Sequence, residues 1–392
     1  MSREAILILI FLGLLAHSYL IYPLLLRILV RIRKQNKAEP PAHEKPFISI
    51  LIPAHNEEDV IEEKIKSVLN SNYPKDKMEI LIGLDHCTDR TEEIVKSIAE
   101  TNSLLLIKKM QDRSGKSGVI NALVPESKGE ILVITDANIL LLPDTLNNLV
   151  RGFSDPRTGL IDTRMRHIPK ENTGISGVES GYVNTEVGTK NAESVLWGCM
   201  MGPFGGCFAV RKKLFRPIPS HFLVDDFFLN MVVLKSCHKS KNAMEAEVLE
   251  DVSTSLREEF RRKIRIATGN FQNLIYFFPL LFRFNALSFC FFSHKVIRWI
   301  GPFLYIAALG ITILKAIHFP GLWIVLLAGA LVIPFVLTLA DILLTKLGVN
   351  LMILRPFSHL VSMNLALFIG FFRFLSGVKS GAWKPTRRNQ AG

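Results

Sequence analysis

Several short stretches of this 392-residue chain set polar side chains directly behind apolar runs. In "ILIPAHNEEDV" the apolar run stops at Pro53 and Ala54, and Asn56 and Glu57 follow. A strand-to-helix corner of this kind presents backbone amides to a ligand; the plain alternative is a helix begun near Glu57 with Asn56 as its cap. In "EILIGLDHCTDRTEEIV" Asp85 ends the run and can accept a hydrogen bond from a base N–H, as uracil offers, while Asp89 has the position of a helix cap. In "DRSGKSGVINAL" Lys116 lies between Gly115 and Gly118, on a turn suited to a diphosphate. The spacing is not that of a P-loop, which argues against an ATPase.

The run "EILVITDAN" delivers Asp136 and Asn138, two hard oxygen donors. Mg²⁺ uses few protein oxygens when a substrate's phosphates complete its shell, so this sparse pair can hold Mg²⁺ or Mn²⁺ against a departing nucleoside diphosphate. In "SHFLVDDFFLNMVVL" Asp225 and Asp226 sit in apolar surroundings. Desolvation and mutual repulsion raise the pKa of such a pair, which makes one of them a candidate general base; the alternative is two acids at a helix N-terminus. Arg262 and Arg265, spaced i and i+3 in "RRKIR", share a helix face and suit either a diphosphate or lipid headgroups.

Positioning these groups requires a parallel arrangement of strands. The runs "FISILIP", "EILIGL", "LLLI" and "EILVITD" alternate with helical patterns over 57–70, 91–100 and 115–124. Alternation of this type predicts an α/β domain over residues 47–255, with ligands beyond the carboxyl ends of the strands. Asn56, Asp85 and Asp136 all fall there.

Membrane segments are expected on both sides. The chain is 49% hydrophobic and 21% charged, with mean hydropathy +0.28. Residues 5–26 carry no formal charge and are long enough to span a bilayer. Basic residues follow that run instead of preceding it, which excludes a signal peptide and puts that end in the cytoplasm. The expected order is a span over 1–30, a basic linker over 31–46, the α/β domain, and an interfacial amphipathic segment over 256–292. A region over 293–378 then holds three apolar runs, near 296–316, 319–340 and 356–376, and a basic tail covers 379–392. Arg298 and Lys315 fall near the ends of the first of these runs, where snorkelling is expected. Three spans after the domain would put the basic tail outside the cell, against its charge, unless one segment is re-entrant or interfacial.

The net charge of +12 sits beside apolar runs, as contacts with anionic lipids and phosphorylated substrates require. Nucleic-acid binding is excluded on the same ground, because no basic, base-stacking groove is formed. The five cysteines lack metal-ligand spacing and fit a reduced, cytosol-facing domain.

In order, "IPAHNEE", "LDHCTD", "GK", "TDAN", "GGCFAVRK", "VDDFFL" and "RRKIRIATGNFQNL" resemble the family 2 inverting glycosyltransferases. The likeness is greatest to the membrane-embedded cellulose, hyaluronan and poly-β-1,6-N-acetylglucosamine synthases. It covers about residues 45–275 and implies a GT-A fold (a Rossmann-like mixed sheet), a UDP-sugar donor, and Mg²⁺ or Mn²⁺ at Asp136 and Asn138. It also implies that Asp226 is the base and that Gly206 and Asp225 lie on the acceptor side. The corner Pro53, Ala54, Asn56 and Glu57, with Asp85, Lys116, Asp136, Arg262 and Arg265, would hold the donor. A growing polysaccharide is the implied acceptor, with a lipid as the alternative, in the inner (plasma) membrane, with a helper subunit or a homo-oligomer as partner. Two positions depart from the family pattern. Asn138 replaces the second acid of Asp-x-Asp, and Ile266 replaces the Trp after the second arginine. The departures leave a nucleotide-sugar-binding subunit without turnover as a third reading, and Trp383 has no assigned position.

Overall fold

The computed structural model describes residues 2–33, 44–167, 175–250, 256–378 and 381. Lys34 and Lys37 of the linker, Asp251, Trp383 and the basic tail from Lys379, apart from Gly381, lie outside the described residues. The chain divides into two compact units. One comprises Met1–Leu29, Pro169–Thr189 and Glu259–Ser376; the other comprises Val30–Ile168, Lys190–Glu258 and Gly377–Gly392.

The second unit is built on one eight-stranded mixed sheet. Its strands are β1 (Ile48–Ala54), β2 (Met78–Leu84), β3 (Leu105–Lys109), β4 (Ile131–Thr135), β5 (Ile139–Leu141), β6 (Thr158–His167), β7 (Cys207–Arg211) and β8 (Lys239–Glu250). They lie in the order β3-β2-β1-β4-β7-β6-β8-β5. The first four in that order are parallel, and β7 enters antiparallel beside β4. β1, β2 and β4 are buried along their whole length. That is why they read as unbroken apolar runs: helices cover both faces, and each fully buried Ile or Val contributes about 1.5–3 kcal/mol. The four strands expected from sequence are all present, close to their expected limits. Mixed pairing comes from the second half of the sheet, where β6 meets β7 antiparallel and β8 parallel.

The first helix after β1 runs from Ile61 to Leu69, with Val60 as its cap residue, instead of beginning near Glu57. Asn56 is not a helix cap. It adopts a left-handed backbone (φ 53°), and its side chain accepts from the Thr88 N–H at 2.8 Å and donates to Thr88 Oγ1 at 3.0 Å. The corner therefore spends its polar groups on stitching the ends of β1 and β2 together. The Glu57 N–H donates to Thr91 Oγ1 at 2.8 Å in the same way. Asp89 behaves partly as expected, accepting from the Thr91 N–H at 3.1 Å at the start of the next helix.

Among the described residues four helices are long and apolar enough to cross a membrane: Arg3–Ile32, Ala286–His318, Leu322–Lys346 and Met352–Leu375; apart from the end of the first, from Val30, they belong to the first unit. The helix Leu256–Phe277 carries the basic motif. Arg298 does not snorkel to solvent. Its guanidinium pairs with Glu186 at 2.7 Å, and Glu186 also receives Lys295 at 2.6 Å and His294 at 2.9 Å. A buried cation needs a counter-charge more than it needs reach, and Glu186 supplies it. Lys315 lies 3.7 Å from Glu4, joining the ends of two spans.

Candidate active site

The carboxyl ends of β1, β2 and β4, with two segments from the second half of the sheet, bring most of the expected residues together. Asp85, one residue past β2, is fully buried. Both its carboxylate oxygens are engaged, accepting from the Ser114 N–H at 2.6 Å and the Gly115 N–H at 2.9 Å. In this structure Asp85 anchors the glycine turn. Gly115 has φ 72°, a conformation that glycine adopts without a side-chain penalty. The helix Gly115–Leu123 starts at that turn and carries Lys116 into the site.

Lys116 is the hub. Its ammonium lies 2.8 Å from Asp136 Oδ1 and 3.5 Å from Asp225 Oδ2, and it donates to the Gly205 carbonyl at 3.4 Å. Burial works against its charge, but Asp136, Asp225 and Asp226 outweigh that and hold it above the usual lysine range. Asp136 follows β4, and its N–H donates to the Gly206 carbonyl at 2.9 Å.

Asp225 and Asp226 open the helix Asp225–Lys235, so they are indeed acids at a helix N-terminus. Asp226 Oδ1 accepts from the Phe227 N–H at 2.6 Å. Its pKa is nonetheless pushed up to about 6. Burial is the main cause and repulsion from Asp225 adds to it, while Lys116, the Phe227 N–H and Lys190 pull the other way. A base poised near neutral pH is the result that general-base chemistry requires. Gly205 (φ 88°) lies against this carboxylate: a Cβ there would fall 2.1 Å from Asp226 Oδ2.

Pro53 and Ala54 are at the buried end of β1, where the Ala54 carbonyl accepts from the Asp85 N–H at 2.8 Å. Gly206 packs against Met165 and Ile139, where a Cβ would come within 3.0 Å of both. Arg262 and Arg265 belong to the other compact unit. There Arg262 forms a two-pronged pair with Glu259, at 2.8 Å for each nitrogen.

Among the described residues no group of three or more His, Cys, Asp or Glu side chains is arranged to hold a metal. The donor set still fits a cation completed by phosphates. Asp136 keeps a third of its side chain exposed (36%) and open to a cation, while the unpartnered Asn138 Nδ2 is an N–H donor and suits a phosphate oxygen instead of the cation itself.

Three contributors were not singled out from sequence. Lys64, fully buried under the site, donates to Thr135 Oγ1 at 2.8 Å and to the Ile139 carbonyl at 2.5 Å. It thereby braces both ends of the turn holding Asp136 and Asn138, and burial draws its pKa down to about 8. The other two are Asp162 on β6 and Lys190. Lys64 stands in a charged helical pattern that hides it. Asp162 left one signal, a lone acid within "TGLIDT".

Residues 49–218 match the family model described as glycosyl transferase family 2. That stretch, under half of the chain, is similar to the family. A β-monoglucosyldiacylglycerol synthase from Nostoc sp. is 35% identical over 121 residues, 30% of this chain and 26% of its own. The poly-β-1,6-N-acetyl-D-glucosamine synthase of Staphylococcus aureus is 24% identical over 185 residues, 47% of this chain and 44% of its own. The chain thus spans well under two thirds of either relative. A solved structure of a mannosyltransferase from Pyrobaculum calidifontis, in complex with GDP-Man and Mn²⁺, superposes with a TM-score of 0.70. It covers 94% of this chain and 99% of its own at 22% identity. The likeness is one of fold, and it is the GT-A-like fold expected from the motifs.

Proposed function

We propose that this chain is a membrane glycosyltransferase that moves a sugar from a nucleoside diphosphate donor, UDP-linked on the motif resemblance, to an acceptor hydroxyl with inversion. The observation that carries the reading is the convergence of Lys116, Asp136, Asp225 and Asp226 on one spot, with Asp226 raised to about 6. Asp226 takes the proton of the acceptor hydroxyl. The new O–C1 bond forms on one face of the sugar as the bond from C1 to the diphosphate oxygen breaks on the other. The nucleoside diphosphate leaves with the bonding electron pair, so an α-linked donor gives a β-glycoside.

Lys116 offers the departing diphosphate a positive charge, and stabilising that charge is the largest expected contribution to rate. Asp136, with Asn138 beside it, would hold Mg²⁺ or Mn²⁺, which supplies further neutralisation of the leaving group when bound. The Pyrobaculum mannosyltransferase of similar fold, solved with GDP-Man and Mn²⁺, supports a nucleotide-sugar donor and a divalent cation. Asp85 acts by fixing the turn of Lys116. The four apolar helices support a multi-pass membrane protein, and the bases after the first span support a cytoplasmic catalytic domain in the inner (plasma) membrane.

Two acceptor classes follow from the relatives. A growing polysaccharide fits the staphylococcal synthase and the ordered motifs. A lipid acceptor is favoured by the higher identity to the diacylglycerol-glucosylating relative, and by Ile266 where the polymer synthases carry Trp. Purified chain in lipid, given Mn²⁺ and labelled UDP-sugars, separates them by product size. High-molecular-weight product establishes the polysaccharide acceptor, and a small organic-extractable product establishes the lipid. Absence of nucleotide release from every donor, with lipid extract present, would refute the enzyme reading as it applies to the chain alone.

A further inference from the structure

Behind the acceptor side of the site lies a second carboxylate that no expectation covered. Asp162, on β6, is completely buried. Its Oδ2 accepts from the Phe204 N–H at 2.9 Å, while its Oδ1 is buried with no hydrogen-bond partner. Phe204 is the residue before Gly205, whose backbone lies against Asp226. The Lys190 ammonium, itself 3% exposed, sits 3.5 Å from the centre of the Phe204 ring. A buried carboxylate left half-satisfied is costly, so its retention here has a local consequence. The bond it makes outside its own strand is to the turn on which the base rests.

We propose that Asp162 is a positioning residue for Asp226: it clamps the Phe204–Gly205 turn under that carboxylate. The proposal rests on the reading of Asp226 as the base. Four charged groups bear on Asp226. Asp225 is its neighbour on the helix, Lys116 comes from the glycine turn, Lys190 lies by the Phe204 ring, and Asp162 lies behind that turn. Cys207 and Lys64 lie further along, toward Asp136. Asp162 is itself pushed up to about 7, chiefly by burial and partly by Asp226, with Lys190 and the Phe204 N–H opposing. The two carboxylates therefore titrate as a linked system.

The test compares kcat, donor KM and the pH profile of kcat/KM for the full chain in lipid. Asp162→Asn keeps an acceptor for the Phe204 N–H, and Asp162 is already largely neutral where Asp226 titrates near 6, so kcat, donor KM and the acid limb should all stay close to wild type. Asp162→Ala loses the clamp, so kcat should fall by about tenfold or more while donor KM and UDP binding are unchanged. A kcat in Asp162→Ala equal to that of Asp162→Asn overturns the proposal. If Asp162→Ala fails to fold, Asp162→Leu, which fills the volume without an acceptor, decides by the same comparison. Asp226→Asn run alongside separates the two levels. A dead Asp226→Asn with equal kcat in the two Asp162 variants removes only the role of Asp162, whereas an active Asp226→Asn removes the parent reading as well.

Discussion

Substituting Gly205 with alanine tests the geometry of the proposed base without touching its chemistry. The residue has φ 88°, and an alanine Cβ would lie 2.1 Å from Asp226 Oδ2 and 2.9 Å from its Cγ. Ordinary contact begins near 3.4 Å, so the carboxylate or the turn must give by about 1.3 Å. The left-handed backbone adds about 1–2 kcal/mol of strain for any residue with a Cβ. A misplacement of about 1 Å at a reacting group costs on the order of 100-fold in rate, or about 2.7 kcal/mol of transition-state stabilisation. Gly205→Ala should therefore lose about two orders of magnitude in kcat, while donor KM and UDP binding stay close to wild type. Continuous detection of nucleotide release gives kcat, and titration with UDP shows whether the donor site is intact. An unchanged kcat would refute the reasoning, because it would mean that Asp226 tolerates a displacement that a base in contact with its substrate cannot.

Other outcomes follow from the same geometry. Transfer should decline as pH falls through about 6, the value to which burial and Asp225 raise Asp226, because a protonated carboxyl accepts no proton. A raised carboxyl binds its proton more tightly folded than unfolded, so it destabilises the fold above about pH 6 and ceases to do so below the ordinary carboxylate range. Asp226→Asn should consequently raise the Tm at pH 7.5 and lose that advantage at pH 4, which a melting series in lipid will show. Asp85→Ala leaves two buried N–H groups without their acceptor and should cost about 3 kcal/mol of stability. It should also weaken UDP binding through the loosened Lys116 turn, a pair of effects measurable by melting and by titration.

Strand ends were legible because one physical signal marks them. An apolar run buried on both faces is unbroken, and the first polar residue after it emerges at the sheet's carboxyl edge, as Asp85 and Asp136 do. Lys116 was legible through its glycines, and Asp225 and Asp226 through charge in an apolar segment. Their mutual distances were not, since Lys116 meets Asp225 across more than a hundred residues of chain. A second role of Asp85, holding the glycine turn, was hidden for a related reason, since that turn lies 29 residues away. Asp162 and Lys190 stayed hidden because β6 pairs with β7 and β8 in the mixed half of the sheet, where sequence order no longer predicts neighbours. Arg298 was misjudged because Glu186, its counter-charge, is 112 positions away.

The most direct test of the central claim is the anomeric configuration of the product, read by NMR, for wild type and for Asp226→Asn. The account predicts a β-glycoside from an α-linked donor in the wild type, and no product from a variant that still binds UDP. An α-glycoside, or full transfer by Asp226→Asn, would contradict it.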